Sequence, residues 1–342
     1  MALNLEAFYK DFRDFYKTDK CVACGESIIN KGRFFSQVYS EDMGKKNDVY
    51  LCLSCGLAYA HPFLSIEEEK RIYEDYVAHH FSEYMASSQA GPQFKFQDKL
   101  NDLFGGILFN NRNVWLKKIV SGFLLQRALI AYPIYSNTKG GPLKVLDIGC
   151  GDGYFLKKAK GFGCLCYGTE YHDTLISRLR ALGIKANLRM EDFQKDIKSD
   201  QDKFDVIRFN WVLEHVIRPQ DMLCQARKLL KDNGELIIGV PNFNTPSRVF
   251  KEHFQMHIPQ HRQLFTKKSL RKMLEECGFK VVYLRTKSIG VVGPTLARRY
   301  GFKTVNLPFR LVDIFCSIIF DLFNIGDCFE VYARKNGRKF AA

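Results

Sequence analysis

The sequence predicts an α/β fold preceded by a small cysteine-rich module, on three observations. The stretch VLDIGCGDGYFL, Val145 to Leu156, is an apolar strand that runs into a glycine-rich turn and then a helix. After it, short apolar runs of strand length alternate with helical patterns, the signature of a parallel sheet built from strand–helix–strand units. Before it stand two Cys-x-x-Cys pairs, CVACGE (Cys21, Cys24) and CLSCGL (Cys52, Cys55), with 27 residues between Cys24 and Cys52.

The bulk numbers narrow the class. At 342 residues the chain holds two domains, or one large domain with additions. A hydrophobic fraction of 46% with 14% aromatics excludes a disordered chain. Lys and Arg number 51 against 37 Asp and Glu, so the net charge is +14. That excess favours anionic partners: nucleic acid, an acidic membrane face or a phosphorylated substrate. The opening MALNLEAFYKDFRDFYKTDK has mixed charge and no apolar centre, so no secretory signal is expected. No apolar run reaches the roughly 18 residues of a membrane span. Eleven cysteines without a secretory signal read as reduced thiols, and the expected location is cytoplasmic.

Leu5, Phe8, Tyr9, Phe12, Phe15 and Tyr16 recur at helical spacing and predict a short packed helix. In each Cys-x-x-Cys pair, two thiolates three apart can grip one ion from a tight turn. The following Gly25 or Gly56 permits the positive φ that such a turn needs. Two such turns make a closed Cys₄ site, structural rather than catalytic, held by a strand pair between them. Zinc is the expected ion; iron is the alternative, and two disulfides suit a cytoplasmic chain poorly. Farther on, Ser65 caps a helix over 66–76, with Glu67 to Glu69 in its first turn. A second helix is expected over 113–132. Gly140-Gly141-Pro142 then breaks the chain. The expected organisation is a helix and ribbon over 1–64, a helical connector over 65–140, and the α/β core over 141–342.

The turn Gly149-Cys150-Gly151-Asp152-Gly153 differs from the dinucleotide fingerprint G-x-G-x-x-G, because its third glycine comes one residue early. Asp147 and Asp152 flank it. Carboxylates there would repel a pyrophosphate and would favour a cationic ligand. V-L-D-I-G-C-G-D-G resembles the first motif of class I S-adenosylmethionine-dependent methyltransferases, and the rest of that pattern follows in order over about 141–335. The resemblance implies a Rossmann-like, seven-stranded core with S-adenosylmethionine as cofactor. Gly149, Gly151 and Gly153 would form its turn, with Asp147 beside it. Glu170, ending the second strand, would take the ribose hydroxyls. Asp192 would contact the adenine amino group and Phe193 would pack on the ring. Asn210 would end the fourth strand, FDVIRFN, and W-V-L-E-H-V would follow it. ELIIGVPN, a helix stopped by Gly278, KVVYLRT and GDCFEVYARK supply the remaining elements.

With the ribbon in front, the chain is similar to the zinc-ribbon methyltransferases of bacterial sugar and surface-polysaccharide pathways. That family includes deoxysugar C-methyltransferases, and the acceptor expected here is a sugar hydroxyl, nucleotide-linked or lipid-linked, with methylation at carbon as the alternative. An alkyl hydroxyl needs a base, for which histidine is suited. His215 follows the fourth strand, and His253, His257 and His261 cluster after the fifth, at the edge where α/β sheets bind ligands. His261 stands four residues before Phe265, as in the His-Glu-His motif of the sugar enzymes. The glutamate of that motif is absent before it, where Pro259-Gln260 stands. The candidate bases are therefore His261, His215 and His257; no spacing supports a carboxylate partner that would make a histidine metal site. Two other functions fit the chain: an RNA methyltransferase that holds RNA with the ribbon, and a non-catalytic ribbon protein with a relic core. The first lacks an N/D-P-P-Y/F motif after the fourth strand. Around 291–325 a hydrophobic helical insertion is expected. Its helix carries Arg310, Asp313, Ser317, Asp321 and Asn324 on one face. It would pack as a lid or dimer contact, or lie against an anionic membrane surface with Arg298, Arg299 and Lys303.

Overall fold

A computed structural model describes residues 20–26, 32–40, 45–61, 65–75, 99, 103, 115–116, 141–249, 258, 260–302 and 305–337. The aromatic stripe of the first helix, His253 and His257 lie outside the described residues. So does the 113–132 segment, apart from Trp115 and Leu116, which are helical and exposed.

The chain first builds a small antiparallel sheet from β1 (Gly32–Ser40), β2 (Lys45–Cys52) and β3 (Ala58–His61). The helix α1 (Ile66–Asp75) follows. Its start is a reciprocal cap: Glu68 donates its backbone N–H to Ser65 Oγ at 3.1 Å, and Ser65 donates its own to Glu68 Oε2 at 2.9 Å.

The core begins with β4 (Lys144–Ile148), α2 (Tyr154–Gly161), β5 (Leu165–Thr169), α3 (Asp173–Ala181) and β6 (Lys185–Asn187). It continues through α4 (Glu191–Gln194), β7 (Phe204–Asn210), α5 (Pro219–Leu229) and β8 (Leu230–Pro241). After β9 (Gln263–Leu264) come α6 (Lys267–Glu276), β10 (Phe279–Lys287), α7 (Val292–Arg299), α8 (Leu307–Leu322) and β11 (Cys328–Lys335). Seven strands join in the order β10-β11-β8-β7-β4-β5-β6, and only β11 runs antiparallel to its neighbours. This is the Rossmann-like methyltransferase fold. The central strands are apolar without alternation, because helices cover both faces: Val145, Leu146, Val206, Ile207, Leu236 and Ile237 are all fully buried. The strand order reverses between β4 and β7, so the crevice for ligand lies at their carboxyl ends.

The small sheet is not closed on itself. Its order is β1-β2-β3-β9, and β9 comes from the core, pairing Leu264 with Ala58 and Gln263 with Tyr59. The ribbon and core also share buried surface, since Cys55 and Leu57 belong to the same apolar cluster as Phe265, Leu270 and Met273. A boundary at residue 64 therefore cuts the chain but not the packing.

In the insertion between β10 and β11, expected to pack as a lid or dimer contact or to lie against a membrane surface, the apolar face of the helix is uncovered. None of the residues of α8 is buried. Its polar stripe faces the protein instead: Asp313 accepts the Gly293 amide at 2.8 Å, Asp321 the Ser288 amide at 2.6 Å, and Asn324, just past the helix, the Thr286 amide at 2.6 Å. Backbone amides left over at the ends of β10 and α7 need acceptors, and these side chains supply them.

Candidate active site

The two cysteine turns are built alike. Gly25 donates to Cys21 O at 2.8 Å and Gly56 to Cys52 O at 2.7 Å, with φ of 67° and 77° at the two glycines. They bring Cys21 Sγ within 3.7 Å of Cys55 Sγ, and Cys24 Sγ within 3.6 Å of Cys52 Sγ. All four sulfurs lie within 4.8 Å of one another. A tetrahedral zinc with bonds of about 2.3 Å spaces its sulfurs by about 3.8 Å, so the set fits that ion. It does not fit disulfides, which need about 2.05 Å. The hydrogen bond between Cys21 and Cys55 lowers the Cys55 thiol and raises that of Cys21, so one of the pair is inclined to the thiolate that a metal needs. The core supports the second turn, with Thr266 Oγ1 donating to Cys55 O and Lys268 Nζ to Ser54 O.

The glycine turn sits at the crevice. Gly149, Gly151 and Gly153 all have positive φ, of 62°, 54° and 75°. Gly149 lies against Val212 and Gly153 against Leu179, so close that an added Cβ would meet those side chains at 2.7 and 2.3 Å. Glycine is required here twice over, for conformation and for space.

Glu170, 3% exposed, lies beneath the turn. Its Oε2 accepts the Gly151 amide at 2.9 Å; its Oε1 accepts the Tyr171 amide at 2.6 Å and Tyr73 Oη at 2.5 Å. Among the described residues Oε2 takes only that one bond, so a ribose hydroxyl has a lone pair to meet. The glycines let the turn pack against Val212 and Leu179 at the crevice. These residues fit S-adenosylmethionine. Tyr73, on α1, was not visible as a site residue from the sequence, because nothing local marks a helix 97 positions upstream as the neighbour of Glu170.

Asp147, expected beside the cofactor, is held by the protein itself. Both of its carboxylate oxygens accept from Arg208 Nη1, at 2.8 and 3.0 Å, and it is 2% exposed. The Arg208 guanidinium lies 4.5 Å from the Phe155 ring centre. Burial pushes the Asp147 carboxyl above its ordinary range, and Arg208 opposes that. The pair clamps β4 to β7 under the turn and presents no charge to a ligand. Asp152 is likewise engaged, accepting the Tyr154 amide and Lys157 Nζ, each at 3.0 Å. The two aspartates stabilise the turn itself.

Of the other expected cofactor residues, Asp192 is exposed at the start of α4, where its Oδ2 accepts the Arg189 amide at 3.3 Å. Phe193 is 5% exposed and meets Tyr167 and Phe204 edge to face, so its ring belongs to the core. Asn210 is half-buried at the end of β7, its side chain lying over Gly239. The next residue, Trp211, has φ 60°, a left-handed conformation uncommon for a bulky side chain. The Trp211 amide, bonded to Gly239 O at 2.9 Å, helps to hold it there. That bend starts the loop that carries Val212 onto the glycine turn.

The same loop carries the chemistry. Glu214, His215 and His261 each offer a ligand-type atom within 4.8 Å of the others. The two imidazoles meet edge to face with ring centres 4.7 Å apart. His261 is 4% exposed and Glu214 fully buried. Neither Glu214 oxygen has a hydrogen-bond partner among the described residues. Burial pushes this carboxyl up to about 8. His215 is exposed, with Nδ1 3.0 Å from Gln260 O. Backbone staples hold the arrangement: Arg262 N donates to Glu214 O at 2.9 Å, and Gln263 Nε2 donates to Leu213 O and Val216 O at 2.6 Å each. The carboxylate that sequence spacing did not supply to the histidines comes from the loop after β7. Its signal was present as a lone acid inside the apolar run WVLEHV.

Comparisons with known proteins agree on the class. A family model described as "Methyltransferase domain" matches residues 121–284. A ubiquinone biosynthesis O-methyltransferase from Glaesserella parasuis serovar 5 (strain SH0165) is 35% identical over 119 residues, 32% of this chain and 50% of that protein. The enzyme of the same name from Salmonella paratyphi A (strain ATCC 9150 / SARB42) is 30% identical over 108 residues, 30% of this chain and 45% of that protein. The chain thus spans about half the length of the curated relatives it matches. A crystal structure of a SAM-dependent methyltransferase from Archaeoglobus fulgidus shares 18% identity, covering 65% of this chain and 95% of that one, with a TM-score of 0.42. The strand order defines a Rossmann-like fold of the methyltransferase type, with a four-cysteine ribbon stitched to it through β9.

Proposed function

We propose that the chain is an S-adenosylmethionine-dependent O-methyltransferase that acts on a hydroxyl of a small-molecule acceptor, with a zinc ion held by Cys21, Cys24, Cys52 and Cys55. The observation that carries this reading is the Glu214–His261 pair, set on loops stapled together beside the glycine turn. Bound S-adenosylmethionine supplies a methyl group on a sulfonium, a good leaving group. Glu170 holds the ribose hydroxyls, and the Gly149–Gly153 turn lets backbone approach the ligand. His261 would take the proton from the acceptor hydroxyl while the methyl carbon exchanges its bond to sulfur for one to that oxygen, the sulfur leaving with the electron pair as a neutral thioether. Glu214, held protonated at neutral pH by its burial, lies within 4.8 Å of His261, and its carboxylate, once formed near pH 8, stabilises the imidazolium that results. Most of the remaining rate comes from alignment.

The acceptor we favour is a sugar hydroxyl, nucleotide-linked or lipid-linked. A buried carboxylate behind a histidine suits an alcohol, whose proton is harder to remove than a phenol's. The relatives' name, ubiquinone biosynthesis O-methyltransferase, supports oxygen as the methylated atom. A second reading is favoured by the three donor atoms within 4.8 Å: the trio holds a divalent cation that binds the acceptor hydroxyl.

The test is methyl transfer from labelled S-adenosylmethionine to a panel of free, nucleotide-linked and lipid-linked sugars and phenols. His261→Ala should lose turnover by about a hundredfold or more while calorimetry shows cofactor binding intact. Unchanged turnover removes His261 as base. Turnover abolished by a chelator and restored by magnesium, with the cysteine-bound zinc unchanged, favours the cation reading.

A further inference from the structure

We propose that the outward face of α8, with the end of α7, docks on the surface of an anionic lipid bilayer. The helix is turned inside out relative to an ordinary surface helix. Its acids bond to the protein's own backbone amides, as described for Asp313 and Asp321, while its large apolar side chains face outward. Leu307, Leu311, Phe315, Ile318 and Leu322 are 67%, 58%, 65%, 49% and 70% exposed, at steps of four, four, three and four residues. Phe302, 49% exposed, extends the patch toward α7. Singly exposed apolar residues need no explanation, but a continuous stripe along a helix about 24 Å long does.

The charge of the insertion selects the partner. Over residues 292–325 the only acids are Asp313 and Asp321, and both are turned to backbone amides. Arg298, Arg299 and Arg310 are all exposed. Arg298 and Arg299 end α7, and Arg310 lies in the first turn of α8. An apolar stripe with exposed arginines at its α7 end, and with both acids of the insertion bonded inward, is complementary to acyl chains under anionic headgroups. Among the described residues no helix is long and apolar enough to cross a membrane, so the contact is peripheral. The insertion leaves the sheet after β10 and returns before β11, at the carboxyl edge that also carries the glycine turn and His261. Docking would hold that edge near the lipid. The inference rests on the insertion and stands without the acceptor assignment.

The test uses the full chain and sedimentation with vesicles. It should pellet with phosphatidylcholine–phosphatidylglycerol vesicles at low salt, and far less with phosphatidylcholine alone or at high salt. Leu311→Glu with Phe315→Glu should lower partitioning about tenfold or more, with S-adenosylmethionine binding unchanged. Arg298→Ala with Arg299→Ala should weaken binding and flatten its salt dependence. The proposal is overturned if the wild type stays in the supernatant with both lipids. It is also overturned if Phe315→Glu converts a dimer to a monomer in sedimentation velocity while vesicle binding is unaffected, since the face would then belong to a second copy.

Discussion

Replacing Glu214 by glutamine tests the buried carboxyl directly. The side chain keeps its shape and can no longer ionise. In the unfolded chain this carboxyl titrates near 4.5, and in the folded chain at about 8, because burial penalises the charged form. The folded state therefore holds the proton more tightly. The stability that this confers is fully present below pH 4.5 and is lost as the pH climbs through 8. Between pH 5 and pH 9 the wild type should lose ~4 kcal/mol that Glu214→Gln does not lose. The glutamine amide has its own buried polar atoms, but their cost does not vary with pH, so the slope is the readout. Urea unfolding followed by circular dichroism at four or five pH values measures it. Parallel stability curves for the two proteins would show that Glu214 does not hold its proton to high pH in the folded chain, and the reading of it as a desolvated carboxyl would fall.

Gly153→Ala should destabilise the chain by about 2–4 kcal/mol in denaturant melts, since it combines a left-handed residue with a Cβ driven into Leu179; a loss under about 1 kcal/mol would mean that Leu179 simply moves aside. Cys52→Ser should remove one equivalent of zinc per chain by elemental analysis and lower the unfolding temperature, because α6 and β9 lean on that turn. Tyr73→Phe should tighten S-adenosylmethionine binding about tenfold in calorimetry, by freeing Glu170 of a competing hydroxyl. Unchanged affinity would show that the tyrosine and the ribose do not compete.

Most of the fold was legible along the chain. The glycine turn, the Ser65 cap and the strand runs are written in residues a few positions apart, and their physics is local: positive φ, orphan amides, apolar runs covered on both faces. The four cysteines were legible for the same reason, as two short turns of one design. The ion pair of Asp147 was not legible, because its neighbour in sequence is the turn, whereas its partner in space is Arg208, 61 positions away on β7. The motif reading sought the glutamate before His261 and could not know that the loop after β7 brings Glu214 to the same place.

The sequence by itself determined which stretches become strands and turns, that four thiols meet, and that α8 has one polar and one apolar face. Only the tertiary structure decided which way those faces point and which distant groups share the crevice. Amphipathicity is satisfied by burying either face, and here unpaired amides at Gly293, Ser288 and Thr286 drew the polar one inward. Glu214 and His261 are 47 positions apart, and a pairing over that distance is set by how whole strands pack, which no local pattern encodes.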